Sequence, residues 1–390
     1  FMSDNTDMGC LRPYCMLCQN AGGHIMVNLL HCKRIYLEDQ IKNKQFVCFG
    51  AGAQFAKFLN FWVSEESIDN LLCVIDSNKA GQKTEFLSKS ILVCTLDQFI
   101  SDNQCKDFNM IITNLYSCME IVDKLDQYEL FNAKSCFLYH MIDGEYQEQS
   151  FDFMTNPIPQ IDKLIHYCWF GNSEIPEHLQ KCIDSWKHYC PDYKLVRWDE
   201  SNYDISKNKY MKDAYDAKMW GFVSDYARLD VIYNYGGFYL DTDVELIKTL
   251  DGLRGNSMYC GFENNHFVSF GIGYGAIRGH RIIKKILDVY DKLLFDISHG
   301  LPIPCPVYQS GVLSDEGVKM NNMFQQFDDF TVYPSEVLAP FGPHRIGSGI
   351  TKNTVSIHHY DASWAPNRLE NREKLEKNIN RYLQRAKKIS

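Results

Sequence analysis

The sequence predicts two α/β domains in tandem, a smaller one built on a parallel sheet and a larger one after it. Three observations lead there. Strand-length apolar runs alternate with helix-length amphipathic stretches in both halves of the chain, the texture of strands joined by crossover helices. The segment "SFDFMTNPIPQIDK" (150–163) carries two prolines and neither period, so it reads as a linker. At 390 residues the chain is also long for one compact core. The expected layout is a loosely ordered leader at 1–34, a Rossmann-like domain at 35–150, a linker at 151–162, a larger domain at 163–365 and a basic C-terminal helix at 366–390.

Composition narrows the function. With 45% hydrophobic and 23% charged residues the chain has the make-up of an ordinary globular protein. A net charge of −9 argues against a general nucleic-acid binder, because such a surface repels phosphate backbones. No apolar run reaches the ~18 residues of a membrane span, and the first residues lack a secretory h-region. The expected location is therefore cytoplasmic, at most peripheral to the inner face of the cell membrane. Most of the 15 cysteines sit inside apolar runs such as "FVCFG" and "LLCVID", as buried thiols in a reducing compartment do. The exception is Cys10, Cys15, Cys18 and Cys32, with His24 and His31 nearby. These residues either bind zinc or belong to the leader, and no second C-x2-C follows at zinc-ribbon spacing.

In the first domain, "QFVCFGAGA" (45–53) is a strand running into Gly50-x-Gly52. A helix with Phe55, Phe58, Leu59 and Trp62 on one face follows, then the strand "LLCVID" ending at Asp76. Asp76 lies 24 positions after Gly52, near the ~20-residue offset of a dinucleotide-binding unit. Phe55 holds the third glycine position, however, so the motif is incomplete. It reads either as a nucleotide site or as a tight turn in a scaffold. "NMIITN" and "KSCFLYHM" supply further strands.

In the second domain, "KLIHYCWFG" is a strand stopping at Gly171, and "PEHLQKCIDSWKHYCPDY" is an amphipathic helix with Leu179, Cys182, Ile183, Trp186 and Tyr189 on its apolar face. "YKLVRWDES" is the next strand. In "GFVSDYARLDVIYNYGGFYLDTDVEL" (221–246), Val223, Ala227 and Val231 recur every four residues, a buried helix face. Asp225 and Arg228, three apart, can act on one ligand. Gly236-Gly237 stops the helix at positive φ. "FYLDTD" then extends as a strand whose period of two places Asp241 and Asp243 on one side. Two carboxylates that close repel unless a cation meets them, and hard oxygen ligands suit Mn2+ or Mg2+.

Five segments, "KLIHYCWFG", "CIDSWKHYCPDYKLVRWDE", "FVSDYARLDVIYNYGGFYLDTDVEL", "GFE" and "IHHYDASW", occur in the order found in family 32 glycosyltransferases, which the chain resembles over about residues 160–365. These DXD sugar transferases include yeast mannosyltransferases and bacterial capsule and lipopolysaccharide enzymes. The glucosyltransferase domains of large clostridial toxins are more distantly similar. The resemblance implies a GT-A fold, a metal-dependent sugar-nucleotide donor and transfer with retention of configuration. It implies that Asp243 is the main metal ligand and that Asp241 reaches both metal and ribose. Trp169 would stack on the base, Asp225 would accept from donor-sugar hydroxyls, and Arg228 would neutralise phosphate charge. Ser363 and Trp364 would close over the diphosphate. One of His358, His359 or Asp361 would complete the metal shell. The chain departs from the family at "YQSGVLSDEG" (308–317), which leaves the role of Gln309 open.

The expected activity is transfer of a sugar, from a UDP-sugar in preference to a GDP-sugar, to a glycan or lipid-linked saccharide in cell-surface polysaccharide synthesis. With no placed nucleophile, same-face attack is the expected route. Two other classes fit a bare D-x-D: a non-catalytic sugar-nucleotide or glycan-binding protein, and a haloacid-dehalogenase-type phosphatase. The latter wants Thr or Val where Glu245 stands. The tail (367–390) has eight Lys/Arg against three Glu, with Leu375, Ile379, Leu383 and Ala386 on one face. That stripe either meets an anionic membrane or packs against the transferase domain.

Overall fold

The computed structural model describes residues 26–389 apart from 88, 103–106, 143–149, 152, 154–155, 264–266, 299–301, 343–348 and 362–367, and leaves aside the side chains of 53, 61, 368 and 369. Cys10, Cys15 and Cys18, proposed above for zinc, lie outside the described residues, as do Ser363 and Trp364; Cys32 is buried.

The chain enters through β1 (Asn28–His31) and α1 (Arg34–Asn43), then β2 (Phe46–Phe49), α2 (Ala53–Trp62) and β3 (Leu71–Ile75). A hairpin of β4 (Lys83–Phe86) and β5 (Lys89–Cys94) follows, then α3 (Leu96–Asp102), β6 (Asn109–Ile112), α4 (Cys118–Leu125) and β7 (Ser135–Leu138). All pairings among these are parallel except the β4–β5 hairpin. β6 is buried at every residue, as a strand covered on both faces must be. The sheet starts at Asn28, inside the expected leader, because β1 pairs with β7 from Asn28 onward.

The second half runs β8 (Leu164–Cys168), α5 (Glu177–Tyr189), β9 (Lys194–Trp198), α6 (Lys209–Asp216), α7 (Trp220–Tyr235), β10 (Gly237–Tyr239) and β11 (Val244–Leu246). After these come β12 (Met258–Phe262), β13 (Val268–Ser269), β14 (Tyr274–Ala276), α8 (Arg281–Tyr290), α9 (Cys305–Asp315), β15 (Gln325–Gln326), β16 (Thr331–Tyr333), α10 (Ser335–Leu338) and β17 (Ser356–His358). The main sheet has order β15-β16-β12-β14-β10-β8-β9, with β13 on β12. Its β8, β9 and β10 are parallel, whereas β14 runs antiparallel to its neighbours, giving a mixed α/β sheet. β11 leaves this sheet to pair with β17. The stretch read as a linker is docked on this domain: Phe151 stacks on Phe324 with ring centroids 4.8 Å apart, and Gln160 N–H donates to Arg254 O at 2.8 Å.

The chain then returns to its beginning. α11 (Arg368–Arg385) leads to β18 (Lys387–Lys388), which adds to the edge of β1. Ile379 and Tyr382 are buried in the first domain's core, and Leu375 and Ala386 pack against it. Arg381 and Arg385 pair with Asp123 and Asp126, at 2.6 and 2.7 Å. The apolar stripe expected to meet a membrane or the transferase domain is thus turned onto the first domain. Of its four residues only Leu383 faces outward. The physical reason is burial: a helix laid on an open sheet removes more apolar surface from water than one left free.

Candidate active site

The aspartate pair sits between two sheets. α7 buries Val223, Ala227 and Val231 completely and ends at Gly236 (φ 68) and Gly237 (φ 97), as the spacing indicated. β10 stops at Tyr239, however, and Asp241–Asp243 form a turn closed by Val244 N–H donating to Asp241 O at 3.0 Å. The expected continuous strand is broken here because β11 must swing away to reach β17. The two carboxylates nonetheless converge.

Arg228 organises one side of the turn. Its Nη2 donates to both oxygens of Asp241, at 3.1 and 3.2 Å, and its Nη1 lies 3.3 Å from Asp225. Nη1 also meets the Cys305 thiol at 3.8 Å, while Tyr239 O–H donates to Asp241 at 3.0 Å. Burial pushes the Asp225 carboxyl up to about 6, against the pull of Arg228 and a hydrogen bond with Cys305. Asp241 is likewise raised by burial in spite of Arg228.

His358 organises the other side. Its Nε2 lies 3.2 Å from Asp243, whose second oxygen accepts from Asp361 N–H at 2.8 Å. Burial opposes the Asp243 charge, yet His358 and these hydrogen bonds hold the carboxyl down at about 2. His358 is correspondingly raised by Asp243 and Asp241 against its own burial. Donor atoms of Asp241, Asp243 and His358 all lie within 4.8 Å of one another. His359, by contrast, gives its Nε2 to Glu245 at 2.8 Å, and only its backbone N–H reaches Asp243, at Asp243 O. Neighbours on an extended chain face opposite ways, so of the two candidate histidines His358 joins the cluster and His359 does not.

Asp361 points its carboxylate away from the aspartates, toward His178 at 3.0 Å and Arg372 at 3.6 Å. Trp169 stands half-exposed just beyond β8, its indole N–H donating to Ser173 O at 2.7 Å. Gln309 is fully buried, and its side-chain oxygen accepts from Phe270 N–H at 2.9 Å, a bracing role.

Sequence reasoning missed several residues. Tyr239 had a signal, standing two positions before Asp241 on the same strand face. Gly271 did not: a Cβ there would come within 2.7 Å of an Asp241 oxygen and 3.0 Å of Arg228 Nη1. Glu263 is raised by burial, against the pull of His358.

The residues fit a divalent cation. Among the described residues, three buried or half-buried carboxylates face one guanidinium, an excess of acidic groups that a bound cation would offset. Carboxylate oxygens plus one imidazole nitrogen suit such an ion.

At the Gly50-x-Gly52 loop the outcome differs. Asp76 accepts from Ala51 N–H at 2.8 Å and from Asn78 N–H at 3.0 Å, so the carboxylate closes the loop on itself. Gly50 (φ 106) packs against Thr113. A cavity of about 510 Å³ lies beside the loop, between α2 and Thr84–Phe86.

Residues 176–259 match the family described as a glycosyltransferase sugar-binding region containing a DXD motif. Inositol phosphoceramide mannosyltransferase 3 of Schizosaccharomyces pombe is 28% identical over 180 residues, covering 44% of this chain and 48% of that protein. Mannosyl phosphorylinositol ceramide synthase SUR1 of Saccharomyces cerevisiae is 35% identical over 106 residues, covering 25% and 26%. The chain thus spans less than half of these relatives. Among solved structures, PaToxG glycosyltransferase aligns with 20% identity and a TM-score of 0.34, over 42% of this chain and 72% of that one. A glycosyltransferase involved in glycosylation of the major capsid of PBCV-1 aligns with 10% identity and a TM-score of 0.29, over 55% and 98%.

Proposed function

We propose that the chain is a member of this DXD glycosyltransferase family and carries out a metal-dependent transfer of a sugar from a nucleotide-sugar to a hydroxyl of a glycan or lipid-linked saccharide. The observation that carries the reading is the convergence of Asp241, Asp243 and His358 from two separate β-segments. A Mn2+ or Mg2+ ion held there would offset the charge that develops on the leaving diphosphate. Everything else falls to the chain. Arg228 fixes Asp241 and screens it from Asp225, Tyr239 orients the same carboxylate, and Trp169 offers a face for the base. Asp225 would accept from a donor-sugar hydroxyl, the role that the family resemblance gives it. Among the described residues Asp225, Asp241 and Asp243 are each paired with Arg228 or His358, which favours same-face attack with retention.

Two donors compete. The sequence favours a UDP-sugar and a cell-surface polysaccharide, whereas the names of the relatives favour a mannosyl donor and an inositol phosphoceramide-like acceptor. Slow hydrolysis of UDP- and GDP-hexoses with and without Mn2+ separates them. Release of sugar from one donor, only with metal, is the expected result. Equal loss from both without metal counts against the reading.

A further inference from the structure

Asp361 stands next to the cluster but turns its carboxylate away from it. Its backbone N–H grips Asp243 Oδ2 at 2.8 Å, so the place of this main chain sets the place of a metal ligand. Its carboxylate, buried, is held by His178 of α5 at 3.0 Å and Arg372 of α11 at 3.6 Å. Arg372 is also clasped by Glu376 one turn on, at 3.3 Å, which pre-aims the guanidinium. The other end of the same helix is built into the first domain. Asn378 donates to Tyr116 O at 2.9 Å, Tyr382 O–H to Leu30 O at 3.1 Å, and β18 continues the β1 edge. One 18-residue helix therefore touches the metal-facing loop at its start and the N-terminal sheet at its end.

We propose that α11 is a strut, with Arg372 a positioning residue that locks Asp361 and so holds Asp243 in its metal-binding place; the first domain thereby sets metal affinity without contributing a ligand. This gives the N-terminal domain a task that needs no nucleotide in its glycine loop. It rests on the metal reading of the same site. Residues that orient ligands without touching the ion commonly change metal affinity by about 10–100-fold, and a partly exposed ion pair belongs at or below the low end.

The test is direct Mn2+ binding to the full chain, read by the loss of free-ion electron paramagnetic resonance signal, with no donor present. Arg372→Gln keeps helix propensity and should weaken binding about three- to tenfold, with partial rescue by Arg372→Lys. Lys374→Gln, which removes an exposed pair with Glu370 within the same helix, should bind Mn2+ as the parent does. Asp361→Asn should resemble Arg372→Gln, which covers the case in which one variant folds poorly. Parent-like binding by both Arg372→Gln and Asp361→Asn would overturn the strut. A parent chain that binds no Mn2+ would overturn the metal reading and this inference with it.

Discussion

Both domains place an aspartate just beyond a strand and beside glycines, and the two places behave in opposite ways. Asp76 is filled by the amides of Ala51 and Asn78, so the loop after β2 is a finished piece of backbone. Asp241 and Asp243 instead draw their partners from outside their own turn. They lean on Arg228, Tyr239, His358 and the Asp361 N–H, and among the described residues Arg228 Nε and His358 Nδ1 are buried with no hydrogen-bond partner. An aspartate at a strand end signals a ligand only where local amides leave it open.

The sharpest way to break this comparison is to remove charge from each place. Asp243→Asn should lower metal-dependent donor hydrolysis by at least about 100-fold, since it deletes a ligand from the group that neutralises the leaving charge. Removing the opposite charge should appear in stability instead. Arg228→Met leaves Asp225 and Asp241 facing each other without their cation and should cost about 3–5 kcal/mol in urea unfolding. Little change in both measurements would make this cluster as closed as Asp76.

The contrast also exists between two histidines of the second domain. His358 is raised by its carboxylates, whereas burial lowers His166 to about 4, with Nε2 donating to Gly236 O and Nδ1 accepting from Trp198. The unfolded chain takes up the His166 proton near pH 6.5, before the folded chain does. Stability from this residue is therefore complete above pH 6.5 and drains away as pH falls toward 4, by about 3 kcal/mol. His166→Asn should flatten that part of a melting-temperature profile, and an unchanged slope would contradict the assignment.

Smaller effects sharpen the picture. Gly271→Ala should push Asp241 aside and weaken Mn2+ binding about tenfold, measured by titration, because the new carbon has no room. Asp76→Ala should cost only about 1–2 kcal/mol in urea unfolding and leave Mn2+ binding untouched.

Much of this was legible in the chain. The period of Val223, Ala227 and Val231, the Gly236-Gly237 stop and the Asp225–Arg228 spacing each fixed a local geometry, and local geometry is what periodicity encodes. The turn at Asp241–Asp243 was not legible, because the break in the strand depends on β11 finding β17 more than a hundred residues later. For the same reason "HH" alone left His358 and His359 equivalent. Cys305 and Gly271 reach the cluster only through tertiary packing. The return of α11 and β18 to β1 joins segments over 350 residues apart, and an amphipathic stripe does not say which surface it will cover.

The most direct measurement is a melting-temperature panel of UDP and GDP, each with and without Mn2+, on the parent chain and Asp243→Asn. A nucleotide at 100 times its Kd adds about 2.7 kcal/mol, enough for a clear shift. The account predicts that one nucleotide raises the melt only with Mn2+, and that Asp243→Asn abolishes the rise. A shift that persists in Asp243→Asn, or no shift with either nucleotide in a folded chain, would contradict it.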